Sequence, residues 1–128
     1  DVTLDGFYYC PHSPDGMVER YAVSCTCRKP LPGMLYRAAN EHGIDLAHSW
    51  MIGDILHDIE AGRRAGCRTV LIDNGNETEW KLSAQRTPHL TARDLYGAAG
   101  MIAAYDAGCY GKNTASQRGT SFRGMLPP

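Results

Sequence analysis

The sequence predicts an α/β domain built on a parallel sheet. Two short apolar segments, Trp50 to Gly53 and Arg68 to Asp73, have the length and composition of strands, and Leu56 to Ala65 between them has the pattern of a helix. The continuous apolar run Val70-Leu71-Ile72 is typical of strands that parallel sheets bury on both faces. A strand, a helix and a strand in this spacing form a βαβ unit, for which a right-handed crossover is expected.

Length and composition fit one soluble globular domain. The chain has 128 residues, of which 43% are hydrophobic and 21% charged, and its formal net charge is −1. The basic residues are scattered, so no electrostatic footprint for nucleic acid is present. No apolar run approaches the roughly 18 residues of a membrane span, and no signal segment opens the chain. We therefore expect neither a nucleic-acid partner nor a membrane partner.

The remaining elements follow from local patterns. Asp1 to Tyr9 contains several large apolar residues and is predicted to be a short strand. Gly33 to His42 has helical spacing and Gly43 as its stop, and this helix is expected to pack on the sheet. Thr91-x-x-Asp94 looks like a capping box. It would open a last helix whose apolar positions are Leu95, Ala98, Ala99, Ile102 and Ala103.

Loops and the tail complete the predicted organisation. Asn74-Gly75-Asn76 is predicted to be a turn, and Glu77 to Arg86 a polar loop. Residues 109–128 are rich in Gly, Ser and Thr and lack periodicity, so a flexible tail is expected there. The domain itself is assigned to residues 1–108.

Two pairs of metal-binding residue types flank a loop near the start of the chain: Cys10 with His12, and Cys25 with Cys27. Residues i and i+2 of an extended backbone point to the same side, so each pair can offer two donors to one ion. Three thiolates and an imidazole suit a closed, structural zinc site. The alternative is ordinary buried cysteines with a surface histidine.

The five cysteines cannot form a complete set of disulfides within one chain, because their number is odd. With three of them bound to zinc, Cys67 and Cys109 are expected to be free thiols. This use of cysteine fits a reducing cytoplasm.

Two further motifs carry charge. Arg28 and Lys29 directly follow the second cysteine pair, and a metal-ordered loop would present both cations to an anion at a lower entropy cost. A solvated basic pair is the alternative. Asp54 follows Gly53 at the carboxyl end of the first predicted strand, where α/β sheets bind ligands, and its carboxylate could hold Mg²⁺. Asp54 could instead be a helix N-cap, and the role of Asp58 stays open.

The order of these motifs resembles a known family. Cys-Pro-His, Cys-x-Cys-Arg-Lys-Pro, Gly-Asp-x-x-x-Asp and Ala-Gly follow one another within Phe7 to Gly75. This order is similar to that of the haloacid dehalogenase (HAD) superfamily of phosphatases. More narrowly, it resembles the zinc-loop branch that contains D-glycero-D-manno-heptose 1,7-bisphosphate phosphatase and histidinol phosphatase. The resemblance implies the C-terminal part of a Rossmann-like parallel sheet with an inserted zinc loop at residues 10–27.

The resemblance also implies roles for individual residues. Lys29 matches the catalytic lysine that neutralises the transferring phosphoryl group, and Arg28 the neighbouring substrate-binding arginine. Asp54 matches the ligand of the catalytic magnesium. The structural zinc ligands of that branch correspond to Cys10, His12, Cys25 and Cys27.

The sequence departs from the family at its nucleophile. Members carry Asp-x-Asp-Gly-Thr on the first strand, whereas the nearest approach here is Thr3-Leu4-Asp5-Gly6-Phe7. Together with this missing motif, the opening with Asp1 rather than methionine suggests a fragment, an incomplete gene product or a chain whose N-terminal half is missing. Ile55 stands where the heptose enzymes carry a lysine, which leaves the substrate open.

The resulting hypothesis is a magnesium-dependent phosphatase of a small phosphate monoester, such as a sugar bisphosphate. It would act through an aspartyl-phosphate whose nucleophile is not in this chain. The chain alone would then be inactive, because positioning groups without an attacking carboxylate cannot form that intermediate. The alternative is a non-catalytic, zinc-stabilised HAD remnant or one half of a split protein.

Overall fold

The computed structural model describes residues 1–109 and contains a parallel sheet of three strands in the order β1-β2-β3. Helices cover both faces of this sheet. In chain order, the elements are α1 (Gly33–His42), β1 (Trp50–Gly53), α2 (Leu56–Arg64), β2 (Arg68–Ile72), β3 (Leu90–Ala92) and α3 (Leu95–Asp106). Short 3₁₀ turns lie at Glu19–Tyr21 and Leu46–His48. The predicted tail lies outside the described residues, except for Cys109.

The predicted βαβ unit is present. β1 pairs with β2 in parallel, with Trp50 opposite Arg68 and Gly53 opposite Leu71, and α2 connects the two strands. The strand prediction for Trp50 to Gly53 is confirmed residue for residue, and the other two elements end one residue earlier than predicted. All three strands are parallel, so their carboxyl ends meet at one edge of the sheet.

The third strand was not predicted, and the capping box at Thr91 was wrong. Thr91 lies within β3, opposite Leu71, and its side chain is exposed. α3 is instead capped by Asp94, whose carboxylate accepts a hydrogen bond from the Gly97 amide at 2.7 Å. A strand of three residues is too short to show periodicity, and it exists because β2 supplies its hydrogen-bonding partners.

The hydrophobic core has two parts, one on each face of the sheet. On the α3 face, Val70, Leu90, Ala92 and Ala98 are buried together. On the α2 face, the cluster consists of Leu56, Ile59 and Leu71. Val70 and Leu71 are adjacent and point to opposite faces, which explains why β2 is apolar without alternation.

Close packing of α2 on the sheet depends on a small residue. A Cβ added to Gly62 would lie 2.6 Å from the Cβ of Met51 on β1. Any side chain at this position would therefore push the helix away from the strand.

The first 55 residues contain no buried residue, in contrast to the sheet. The strand predicted for Asp1 to Tyr9 is wrong: this segment is irregular and pairs with no other strand among the described residues. Tyr8 nevertheless attaches it to α1, because its hydroxyl donates to Glu41 at 2.6 Å. Large apolar residues alone do not make a strand without a neighbouring strand to satisfy the backbone.

α1 has the predicted bounds and ends at Gly43, whose φ of 64° is left-handed. The expectation that it packs on the sheet is not met, because α1 buries no residue. Instead, Leu35 and Ala38 of the helix face Trp50 and Met51 across an open apolar groove of about 370 Å³. Within residues 1–109, no helix has the length and apolar character needed to cross a bilayer.

Candidate functional site

The predicted metal ligands come together. The Sγ atoms of Cys10, Cys25 and Cys27 and a ring nitrogen of His12 all lie within 4.8 Å of one another. Cys10 Sγ is 3.4 Å from Cys25 Sγ and 3.0 Å from Cys27 Sγ, and His12 Nδ1 is 3.4 Å from Cys27 Sγ. The thiols are free rather than oxidised to disulfides.

The backbone of the loop holds these side chains in place. The Ser13 amide donates to the Tyr21 carbonyl at 2.9 Å, and the Gly33 amide donates to the Thr26 carbonyl at 2.9 Å. These bonds close the loop at its middle and at its end. The two ligand pairs therefore converge although 12 residues separate them.

Hydrogen bonds among the three thiols move the pKa values of Cys25 and Cys27 in opposite directions. A hydrogen bond from Cys27 lowers the pKa of Cys25 to about 6, and hydrogen bonds with Cys10 and Cys25 raise the pKa of Cys27 to about 12. One thiolate is thus stabilised by its neighbours, and a cation at the centre would compensate the remaining charges. This set of three sulfurs and one imidazole fits a tetrahedral ion such as Zn²⁺.

The basic pair connects the loop to the sheet. Arg28 is exposed, and its Nη1 donates to the His12 carbonyl at 3.0 Å. Lys29 is half-buried, and its Nζ forms an ion pair with Asp58 Oδ1. The two cations are therefore not a freely solvated pair, since each has a defined partner.

Asp58, whose role the sequence left open, joins the two charged motifs. It lies in the first turn of α2 and is 4% exposed. While one oxygen binds Lys29, Oδ2 accepts hydrogen bonds from the amides of Asp54 at 3.2 Å and Ile55 at 3.4 Å. One carboxylate thus satisfies the start of α2 and brings the Lys29 amine against the turn that carries Asp54.

Gly53 makes this arrangement possible. A Cβ at this position would lie 2.1 Å from Asp58 Cβ and 2.4 Å from its Oδ2. Only a residue without a side chain lets the end of β1 approach the carboxylate so closely.

Asp54 stands at the carboxyl end of β1 but does not cap α2, so the N-cap alternative is wrong; Ile55 occupies the cap position. The Asp54 Oδ2 atom accepts a hydrogen bond from Asn76 Nδ2 at 2.7 Å. No residue in the 1–109 range donates to its other oxygen, Oδ1. A half-buried carboxylate with one oxygen held and one available fits a hard cation such as Mg²⁺.

Sequence reasoning missed the loop that contacts Asp54. Glu77 Oε2 accepts a hydrogen bond from the Leu56 amide at 2.6 Å, and Oε1 accepts one from the Glu79 amide at 2.6 Å. Burial acts to raise the pKa of Glu77, but the amides of Leu56, Glu79 and Thr78 together hold it below its usual value. The available signal was the polar run after β2, because that run lies beside the end of β1 in a parallel sheet.

Comparison with known proteins decides the family. A sequence model of the HAD-hydrolase-like family matches residues 26–98, which contain Lys29, Asp54 and all three strands. The chain belongs to the HAD-hydrolase-like family. The predicted resemblance and fold class are therefore confirmed.

Relatives of this HAD-hydrolase-like chain are phosphatases by name. The D-glycero-β-D-manno-heptose-1,7-bisphosphate 7-phosphatase of Yersinia pestis is 52% identical over 75 residues, which are 58% of this chain and 40% of that protein. The enzyme of the same name from Escherichia coli strain K12 is 45% identical over 93 residues, 66% of this chain and 49% of that protein. The chain spans about half the length of the curated relatives it matches.

A solved structure agrees with the fold. The D,D-heptose 1,7-bisphosphate phosphatase from B. bronchiseptica, complexed with magnesium and phosphate, superimposes with a TM-score of 0.51 at 31% identity. The match covers 75% of this HAD-hydrolase-like chain and 50% of that structure.

Proposed function

We propose that this chain carries the charge-stabilising part of a magnesium-dependent phosphatase site for a small phosphate monoester, in particular a sugar bisphosphate. One observation carries the proposal. Asp58 binds the Lys29 amine with one oxygen and the backbone amides at Asp54 with the other, so that a cation and an acidic strand end lie together. The names of the relatives support the sugar bisphosphate as the substrate class.

Each group has a distinct task in this proposal. Lysine has three donors, so Lys29 can keep its bond to Asp58 and still donate to phosphate oxygens. Arg28 recognises a second anionic group of the substrate, and its bond to the zinc loop sets its position. Asp54 would hold Mg²⁺, which supplies charge neutralisation at the phosphoryl group when bound. The set of Cys10, His12, Cys25 and Cys27 would hold zinc for structure.

The reaction also needs a nucleophile. In the proposed reaction, an aspartate attacks phosphorus, the bond from phosphorus to the ester oxygen breaks, and the leaving alcohol takes up a proton. Water then hydrolyses the aspartyl-phosphate to give inorganic phosphate and the free carboxylate. The 128 residues contain no Asp-x-Asp-Gly-Thr, so the proposal assigns the attack to a carboxylate that they do not supply.

Binding of inorganic phosphate tests the charge-stabilising role independently of turnover. Calorimetry should show magnesium-dependent phosphate binding by the chain, weakened about tenfold or more in Lys29→Met, since a charge-assisted hydrogen bond is worth about 1.5–3 kcal/mol. Lys81→Met is the matched control, because Lys81 is exposed and, among residues 1–109, forms an ion pair only with Glu79. Equal phosphate affinity in the two variants would contradict the role of Lys29.

Phosphate release distinguishes the second candidate function, a zinc-stabilised domain without catalysis. The missing nucleophile motif favours this candidate for the 128 residues alone, and we expect negligible release from sugar mono- and bisphosphates with Mg²⁺. The same panel should be tested on any longer form of this chain that carries an Asp-x-Asp-Gly-Thr motif. Turnover in that protein, lost in Lys29→Met, supports the phosphatase; magnesium-dependent phosphate binding without turnover supports the non-catalytic domain.

A further inference from the structure

Asn76 contacts the Asp54 carboxylate from a different part of the chain. The two residues are 22 positions apart, and Asn76 Nδ2 donates to Asp54 Oδ2 at 2.7 Å. Among residues 1–109, Asn76 is the only one whose side chain binds this carboxylate. The amide of Asp54, in contrast, is held by Asp58. The backbone and the side chain of Asp54 are thus fixed by separate partners.

The loop that carries Asn76 is itself fastened. The Asn76 amide donates to Asn74 Oδ1 at 3.2 Å, which folds the loop at the carboxyl end of β2. The next residue, Glu77, binds the Leu56 amide at 2.6 Å. The loop therefore meets the turn before α2 at two points, one on Asp54 and one on Leu56. A side chain on a loop held in this way has little freedom to move away.

The chemistry of an amide donor suits a cation ligand. A hydrogen bond to Oδ2 orients the carboxylate and leaves Oδ1 for the ion. A neutral donor achieves this without the repulsion that a lysine or arginine would exert on the cation. Groups that orient a metal ligand in this way typically change metal affinity by about 10–100-fold when they are removed.

We propose that Asn76 is a positioning residue for Asp54: its amide holds the carboxylate in the orientation that binds a divalent cation. This inference rests on the proposed function, because that function assigns the cation to Asp54. It adds a residue that lies outside the Lys29 and Asp54 motifs.

Manganese binding tests the inference without requiring turnover. Free Mn²⁺ can be measured by electron paramagnetic resonance in a titration of the 128-residue chain, supplied with one equivalent of zinc so that the thiols do not compete. We expect the Mn²⁺ dissociation constant to rise about tenfold in Asn76→Ala. Asn76→Gln keeps an amide donor and should fall between Asn76→Ala and the unchanged chain. Asn40→Ala, an exposed asparagine on α1, should not alter the dissociation constant.

Hydrogen exchange at Leu56 separates positioning from a structural role. The Leu56 amide donates to Glu77, so its protection reports whether the loop is still in place. Weaker Mn²⁺ binding with unchanged Leu56 protection supports the inference. Weaker binding together with lost Leu56 protection overturns it, because Asn76 would then act only by holding the loop.

Asp54→Asn distinguishes failure of this inference from failure of the proposed function. If Asp54→Asn loses Mn²⁺ binding while Asn76→Ala binds as Asn40→Ala does, the positioning role is refuted and the cation role of Asp54 stands. If Asp54→Asn binds Mn²⁺ unchanged, the magnesium assignment in the proposed function is refuted, and the inference with it.

Discussion

At the scale of single residues, the candidate site depends on carboxylates that bind several partners at once. Asp58 is buried and accepts from the Lys29 amine and from the amides of Asp54 and Ile55. Because buried charges need partners, Lys29 compensates Asp58 as much as Asp58 positions Lys29. The same contact therefore serves both stability and the proposed chemistry.

Replacing this carboxylate should destabilise the chain. Asp58→Asn keeps an oxygen for the amides but loses the ion pair with Lys29. We expect the free energy of unfolding to fall by about 1–2 kcal/mol, less than for a fully buried pair because the Lys29 side chain is 39% exposed. Urea denaturation measures this change. Asp15→Asn, at an exposed position in the loop of residues 10–27, is the control, and an equal effect in both variants would show that the pair adds no stability.

At the scale of elements, α2 is fastened to the loop before β3. Glu60 is buried on α2 and accepts from Arg86 Nε at 2.6 Å and from Arg64 Nη2 at 2.5 Å. Arg63 Nε also donates to the Thr87 carbonyl at 2.6 Å. These bonds hold a segment without regular structure against the helix. The loop that leads into β3 is therefore ordered by charge rather than by apolar burial.

The pH dependence of the free energy of unfolding should report the ion pairs of Glu60 with Arg86 and Arg64. Burial acts to raise the pKa of Glu60, but Arg86 and Arg64 outweigh it and hold the pKa below its usual value. A lowered folded-state pKa means that the stabilisation is complete above the unfolded pKa, about 4.3. It is then lost as the pH falls through the folded value.

Glu60→Gln should therefore lower the free energy of unfolding by about 1–3 kcal/mol at neutral pH. It should also flatten the decline of stability below about pH 4.3, so that both proteins converge in acid. Urea denaturation between pH 3 and pH 7 gives the comparison. Glu19→Gln, at an exposed position, should follow the unchanged chain; parallel curves for Glu60→Gln and the unchanged chain would disprove the role of Glu60.

At the scale of the whole molecule, two parts of the described chain are stabilised differently. Within residues 1–109, every buried residue lies between Leu56 and Ala98, and all of them except Cys67 belong to the sheet or to the helices that cover it. Residues 1–55 contain no buried residue, and α1 stands across an open groove from β1. Without apolar burial, the loop of residues 10–27 depends on its backbone bonds and on its thiol and imidazole cluster. A metal at this cluster would supply folding energy.

Loss of one thiol should consequently affect only one part of the molecule. Elemental analysis should give about one zinc per chain, and Cys25→Ser should reduce that content strongly. Hydrogen exchange and protease cleavage should increase between Cys10 and Lys29, whereas the amide of Val70 in β2 should stay protected.

Cys109→Ser is the matched control, since Cys109 is an exposed free thiol outside the cluster. It should leave both the zinc content and the exchange pattern unchanged. Absence of zinc from the unchanged chain, or equal exchange in Cys25→Ser and Cys109→Ser, would contradict a structural metal.

The sequence by itself determined the elements whose signals are local. The run Val70-Leu71-Ile72 predicted a buried parallel strand, and Gly43 predicted the end of α1; both are confirmed. The spacing of the four Cys and His residues predicted a cluster that the structure brings within 4.8 Å. These features can be recognised in the sequence because a continuous apolar run, a glycine at a helix end and a pair of ligands at i and i+2 each involve only a few neighbouring residues.

Only the tertiary structure decided what depends on distant partners. β3 exists because β2 pairs with it, whereas Asp1 to Tyr9 has no such neighbour in the part of the chain that the structure describes and is not a strand. Asp58 binds Lys29 across 29 positions of the sequence, and Asn76 reaches Asp54 across 22. Hydrogen bonds and ion pairs between such positions leave no local pattern, because packing around the carboxyl edge of the sheet, rather than sequence spacing, sets their geometry.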